Sequence, residues 1–128
     1  MENQTKNEER NDWKEAFKKR LLMYSVSMLH FCDDLRKKPA LWPIADQLIR
    51  CSTSVGANVR EAQGAGSRKD FANFFQIALK SANETSYWLE VVTEYNDIFK
   101  KQAEVLTKET LEITRIISSS LLTMKGKK

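Results

Sequence analysis

Apolar residues recur along this chain at helical spacing. From Trp13 they return at Phe17, Leu21, Tyr24, Met28, Phe31 and Leu35, steps that put them on one face of a long amphipathic helix. Leu22, Val26 and Leu29 widen that stripe, and Lys14, Lys18 and Lys19 sit on or beside the polar side. Asp12 is placed to cap its start. Arg36-Lys37-Lys38 close it, where cations suit the negative end of the helix dipole, and Pro39 stops it. A second pattern follows at Ile44, Leu48, Val55, Val59 and Ala62, with Pro43 in a first turn that has no need of its missing N–H. Small residues crowd beside this face: Ser52, Thr53, Ser54, Gly56 and Ala57. Small side chains let a neighbouring helix approach closely, and Gly56 needs such packing to offset a loss of roughly 1 kcal/mol in helix propensity against alanine.

The pattern breaks at Gly64-Ala65-Gly66-Ser67. A glycine just past a helix end is expected to take the left-handed conformation, and Ser67 with Asp70 three residues on reads as the next helix start. The third pattern has two adjacent seams. Phe71, Phe75, Ala78, Ala82, Thr85, Leu89 and Val92 form one; Phe74, Ile77, Ser81, Trp88, Val91, Tyr95 and Ile98 form the other. Two seams mark a central helix with partners on more than one side, in its own bundle or in a neighbouring subunit. It is expected to run to about Phe99, with a break between Asn96 and Lys101. The last pattern runs through Ala103, Leu106, Thr110, Ile113, Ile117 and Leu121, flanked by Val105, Ile116 and Leu122. Four amphipathic helices with short connections predict an all-α fold, an antiparallel up-down-up-down four-helix bundle. Residues 1–11 read as a flexible N-terminus, 12–124 as the bundle and 125–128 as a basic tail; Trp42 is expected to plug one end of the bundle.

A chain of 128 residues suits one domain, burying about two thirds of its unfolded surface. No run approaches the ~20 apolar residues of a membrane helix, and residues 1–10 are too polar for a signal peptide. The expectation is a cytoplasmic protein without membrane contact. Cys32 and Cys51 read as buried, reduced thiols. With His30 the only histidine and no Glu-x-x-His motif, no metal site and no cofactor is expected. No nucleophile is paired with a base, so the chain does not read as an enzyme.

Net charge is +4, unevenly spread. Residues 11–38 hold seven basic and four acidic side chains, 101–128 six and three, and 39–100 six and seven. The outer helices therefore carry the positive excess, which suits either an anionic partner or an ordinary solvated surface. Arg60, Arg68 and Lys69 flank the glycine-rich turn. Basic side chains beside free helix N–H groups can hold phosphate, but the turn lacks the strand and the Gly-Lys-Ser/Thr ending of a nucleotide-binding loop. Both a phosphate-backbone contact and a plain capped turn fit. Asn58, Glu61, Asn83 and Glu84 stand on or near faces that pack. They read as a polar network fixing helix register or as interface contacts, in preference to a carboxylate pair for acid–base or metal chemistry. Tyr87 and Trp88 read as packing residues beside Leu89 and Val91, with base stacking the lesser reading.

Ser54-Val55-Gly56-Ala57-Asn58-Val59-Arg60-Glu61, then Asp70-Phe71, Ile77-Ala78-Leu79-Lys80 and Glu84-Thr85-Ser86-Tyr87-Trp88-Leu89, resemble the four-helix-bundle family of 23S rRNA intervening-sequence proteins. That family includes the S23-type proteins and is related to the accessory variability protein of diversity-generating retroelements. The chain departs from the family pattern at Gly56, Ala62 and Asn83. The resemblance implies a ring-like homopentamer that is not an enzyme. It also implies RNA or DNA contact through basic surface, with a protein partner such as a reverse transcriptase. Lys14, Lys18, Lys19, Arg60, Arg68 and Lys69 are the candidate phosphate contacts. The alternative is a protein-interaction scaffold that touches no nucleic acid.

Overall fold

A computed structural model describes residues 2–126 as four α-helices: α1 (Glu2–Leu35), α2 (Trp42–Gln63), α3 (Arg68–Tyr95) and α4 (Lys100–Gly126). Short 3-10 turns at Pro39–Leu41 and Asp97–Phe99 join the first and last pairs. Consecutive helices pack closely in an antiparallel, up-down-up-down path. Met1, Lys127 and Lys128 lie outside the described residues, and with them the end of the basic tail.

The first helix begins at Glu2, well upstream of the Asp12 cap expected from the sequence, so the stretch read as a flexible N-terminus is continuous with α1. Its first turns bury no side chain: those from Asn3 to Ala16 are exposed. Burial starts at Phe17 and continues through Leu21, Tyr24, Met28, Phe31 and Leu35, the face set by the three-four spacing. The matching faces of α2 (Leu48, Val55, Val59, Ala62), α3 (Phe75, Ala78, Ala82, Leu89, Val92) and α4 (Ala103, Leu106, Ile113, Ile117, Leu121) close on it as one core. Each large apolar side chain fully removed from water there contributes about 1.5–3 kcal/mol.

Small residues set how close the helices come. A Cβ added at Gly56 would stand 3.4 Å from Leu21 Cβ and 3.7 Å from the Leu21 carbonyl oxygen, so α1 crosses α2 near van der Waals distance. Between α2 and α3 the Ser81 hydroxyl reaches Ser54 Oγ at 2.9 Å. The backbones of α1 and α4 stay farther apart than those of the consecutive pairs, and long side chains bridge the seam. Arg20 grips Glu109 at 2.6 and 2.8 Å and reaches Glu112 at 3.1 Å. The Phe31 ring meets Phe99 edge-on at 6.3 Å.

Three local expectations change. The turn after α2 uses no left-handed residue: Gly64 has φ −96°, and no described glycine has positive φ. Amides of Gly64 and Ala65 instead close tight turns onto the Glu61 and Ala62 carbonyls, both at 3.1 Å. Ser67 does cap α3, accepting from the Asp70 amide at 3.1 Å. The third helix ends at Tyr95, before the expected Phe99, because the Asn96 side chain accepts from the Ile98 amide and starts the 3-10 turn. Trp42 does not plug the bundle. It is half exposed, its indole donating to the Arg36 carbonyl at 2.6 Å, while Leu41 is the buried residue of that connection.

Candidate functional site

Polar side chains inside a helical bundle must find partners there, and the way they do so decides whether any are free for chemistry. One layer of this core takes a residue from each helix: Tyr24, Cys51, Thr85 and Thr110. The Tyr24 hydroxyl meets Thr110 Oγ1 at 2.6 Å, and Thr110 in turn donates to the Leu106 carbonyl at 2.7 Å. Thr85 donates to the Ser81 carbonyl at 2.8 Å and lies 3.2 Å from Cys51 Sγ. Burial pushes Tyr24 up to about 12, while the Thr110 hydrogen bond acts in the opposite direction. Burial also pushes the Cys32 thiol up to about 12 and the Cys51 thiol upward. Thiols held protonated in this way are packing groups and not nucleophiles. Among the described residues no group of His, Cys, Asp and Glu could hold a metal ion.

The four polar residues singled out from sequence do not come together. Asn58 donates to the Ser54 carbonyl and to Ser54 Oγ, both at 2.9 Å, and Ser81 extends that chain across to α3. Glu61, Asn83 and Glu84 are exposed. Glu84 accepts from the Trp88 indole on its own helix at 3.0 Å. The register-fixing contacts inside the bundle belong instead to hydroxyls and a thiol, whose burial is set by their place in the apolar seams. Thr85 and Thr110 already stood in those seams in the sequence.

Basic side chains gather where the path of the chain brings the helices together. The start of α1, the end of α2, the start of α3 and the end of α4 share one end of the bundle. Lys14, Lys18, Lys19, Arg60, Arg68 and Lys69 lie toward that end, joined by Arg115 and Lys125 of α4. Lys18 and Arg60 face a common cleft of about 350 Å³ between α1 and α2, opened by Gly56 and Ala57, with Glu61 also on its wall. Carboxylates share this end: Glu8, Glu9, Asp12 and Glu15 on α1, Glu61 on α2 and Asp70 on α3. Lys18 pairs with Glu15 at 3.1 Å, and Arg68 donates to the Met124 carbonyl at 3.1 Å. Among the described residues Lys14, Lys19, Arg60 and Lys69 form no ion pair. At the opposite end Arg36 and Lys37 are bound to Asp46 and Asp34.

The Gly64–Lys69 turn itself offers little to a phosphate. Ser67 already occupies the Asp70 amide, and the Asp70 carboxylate stands in the first turn of α3. A phosphate contact at this end therefore rests on cationic side chains and not on a backbone cradle. Arg115 is the basic residue the sequence reading missed. The signal was its position in the second half of the last helix, which an up-down-up-down path brings back alongside the start of the first.

Among the described residues no helix is long and apolar enough to cross a membrane. The family model described as 23S rRNA-intervening sequence protein matches residues 8–119. A solved structure of a protein of unknown function from the S23 ribosomal protein family of Bacteroides thetaiotaomicron is 36% identical. It superposes with a TM-score of 0.76 over 81% of this chain and 96% of that one. No curated protein matches the chain.

Proposed function

Because this chain belongs to the 23S rRNA-intervening sequence protein family, we propose that it is a non-enzymatic, self-associating helical bundle that binds RNA or DNA through its basic end. The observation that carries this reading is the set of unpaired cations there. Lys14, Lys19, Arg60 and Lys69 have no carboxylate partner among the described residues, and Lys18 and Arg60 share one cleft. Cations without partners are available to phosphates, and contact with phosphates is largely indifferent to sequence.

Self-association has its own support. Leu22, Met23, Val26 and Leu29 on α1, with Ile77 and Tyr87 on α3, are large apolar groups left uncovered by the single chain. By resemblance the assembly is a homopentamer, which would multiply the basic end around a ring. A nucleic-acid-processing partner such as a reverse transcriptase is part of the same reading, as is a cytoplasmic location.

Binding to structured RNA and to duplex DNA across a salt series tests the proposal, with the mass in solution measured alongside. A protomer engaging all six candidate cations would give a slope of log affinity against log salt of about −5 on duplex DNA. Reversing Lys14, Lys19, Arg60 and Lys69 to glutamate should abolish binding while leaving helicity and mass unchanged. No binding at low salt, or full binding by the reversed variant, overturns the nucleic-acid reading and leaves a protein-interaction scaffold. A monomeric mass overturns the ring.

A further inference from the structure

The bundle's three tryptophans are held differently. The Trp42 indole donates to the Arg36 carbonyl and the Trp88 indole to Glu84. The Trp13 indole N–H has no acceptor among the described residues, although the ring is held in place. It stacks on Phe17 with centroids 5.4 Å apart and planes at 24°. Phe17 is only 4% exposed and belongs to the core, whereas Trp13 is 51% exposed. One face of the indole is thus buttressed by the bundle, and much of the rest is open to solvent.

That open side borders a cleft of about 500 Å³, lined by Trp13 of α1, Phe71 of α3 and Arg115, Ile116, Ser119 and Met124 of α4. The volume falls within the ~300–1,000 Å³ of small-molecule sites. Its polar groups are not used up. Arg115 has no ion pair among the described residues, and the Ser119 hydroxyl has no partner there either. The neighbouring hydroxyls of Ser120 and Thr123 are bonded to the Ile116 and Ser119 carbonyls, both at 3.0 Å. Arg68 reaches over to the Met124 carbonyl at 3.1 Å and adds a second cation beside the cleft.

We propose that this cleft is a stacking site for an unpaired nucleobase of single-stranded RNA or DNA. The inference rests on the nucleic-acid reading above and names the part of the ligand that this end of the bundle recognises. A base would lie on the free face of Trp13, a ring already held by Phe17 and so needing little ordering on binding. Its edge would meet the free indole N–H and the Ser119 hydroxyl. The adjoining phosphate would meet Arg115, whose planar guanidinium suits it. Stacking of this kind accepts every base, because each has a π-face. A second copy of the chain fits less well: protein interfaces exclude unpaired charge from their centres, and Arg115 would be left without a counter-ion. The apolar surface of α1 that suits a second copy, Leu22, Val26 and Leu29, lies farther along the helix.

The experiment compares the full chain with Trp13→Ala and Trp13→Phe. The probes are a single-stranded oligonucleotide and an abasic strand of the same length, each across a salt series. Trp13→Ala should weaken binding to the base-bearing strand by roughly 5- to 150-fold, and Trp13→Phe by less. Affinity for the abasic strand and the salt slope should not change, since no phosphate contact is lost. Equal binding of the base-bearing strand by wild type and Trp13→Ala would overturn the stacking site while leaving the basic end standing. Failure of the wild type to bind either strand would remove both readings. If Trp13→Ala instead changes the mass in solution and leaves affinity per protomer intact, the cleft is a contact between copies and the proposal falls.

Discussion

Removing the Tyr24–Thr110 hydrogen bond from one side, then the other, then both, should give three energies that do not add. A hydroxyl has one proton, and Thr110 directs its own to the Leu106 carbonyl at 2.7 Å. Tyr24 is therefore the donor in the 2.6 Å contact, and Thr110 Oγ1 accepts. Tyr24→Phe deletes the donor but leaves the Thr110 proton bonded, so the loss should be about 1 kcal/mol, the net worth of one hydrogen bond. Thr110→Val keeps the shape and deletes the acceptor. It strands a phenolic proton where Tyr24 is 3% exposed, and a buried, unmet donor costs about 1–3 kcal/mol. Leu106 loses only a second bond, because its carbonyl keeps the helical amide. In the double variant nothing is unmet, and the loss should be under about 1 kcal/mol. The coupling energy is then roughly −2 kcal/mol. Urea unfolding of the four proteins reads it as midpoint shifts at constant slope. Single losses that sum to the double within about 0.5 kcal/mol would refute the donor assignment.

Gly56→Ala should hold or raise stability by up to ~1 kcal/mol, because helix propensity improves and the new methyl meets Leu21 at ordinary contact distance. A drop of more than ~1 kcal/mol in thermal or urea unfolding would show that α1 cannot give even slightly at that crossing. Alkaline pH should destabilise the bundle. Tyr24 in the unfolded chain ionises near 10 and in the fold near 12, so its contribution is full below pH 10 and is lost as pH rises toward 12. The buried thiols begin the same loss from about pH 9. Stability measured from pH 8 to 12 should fall, and Tyr24→Phe should fall less steeply. An identical slope in that variant would contradict the assignment.

Periodicity made the inner face of every helix legible, down to Thr85 and Thr110, because the three-four spacing of a buried stripe is a property of the helix alone. It did not say which apolar residues this one chain covers. Leu22, Val26 and Leu29 carry the same spacing signal as Leu21 and Met28, yet they are exposed, since α1 is packed along one side only. The second seam of α3 tells the same story. Phe74, Trp88 and Val91 are half buried, while Ile77, Tyr95 and Ile98 are exposed. The end of α3 was readable in principle, since Asn96-Asp97 is a capping sequence; a search for glycine or proline passes over it. The basic end was only half legible. Lys14, Lys18 and Lys19 are neighbours in sequence, but their meeting with Arg60, Arg68 and Arg115 is made by topology. The partnership of Trp13 with Phe17 was legible as spacing, but the cleft across it, between α3 and α4, was not.

The wide seam between α1 and α4 has a consequence in time. Each consecutive helix pair is a local hairpin that can form as soon as its second helix exists. The seam joins residues far apart in the chain, Arg20 with Glu112 at a separation of 92 positions and Tyr24 with Thr110 at 86. A ribosome adding ~5–20 residues per second needs roughly one to five seconds to make the 27 residues of α4. For that interval a three-helix sheaf carries an open groove, with Phe31 and Tyr24 on its floor. The groove is as open to the α4 of another nascent copy as to its own. Crowded translation of this message should therefore favour exchanged helices, and spaced translation the closed bundle.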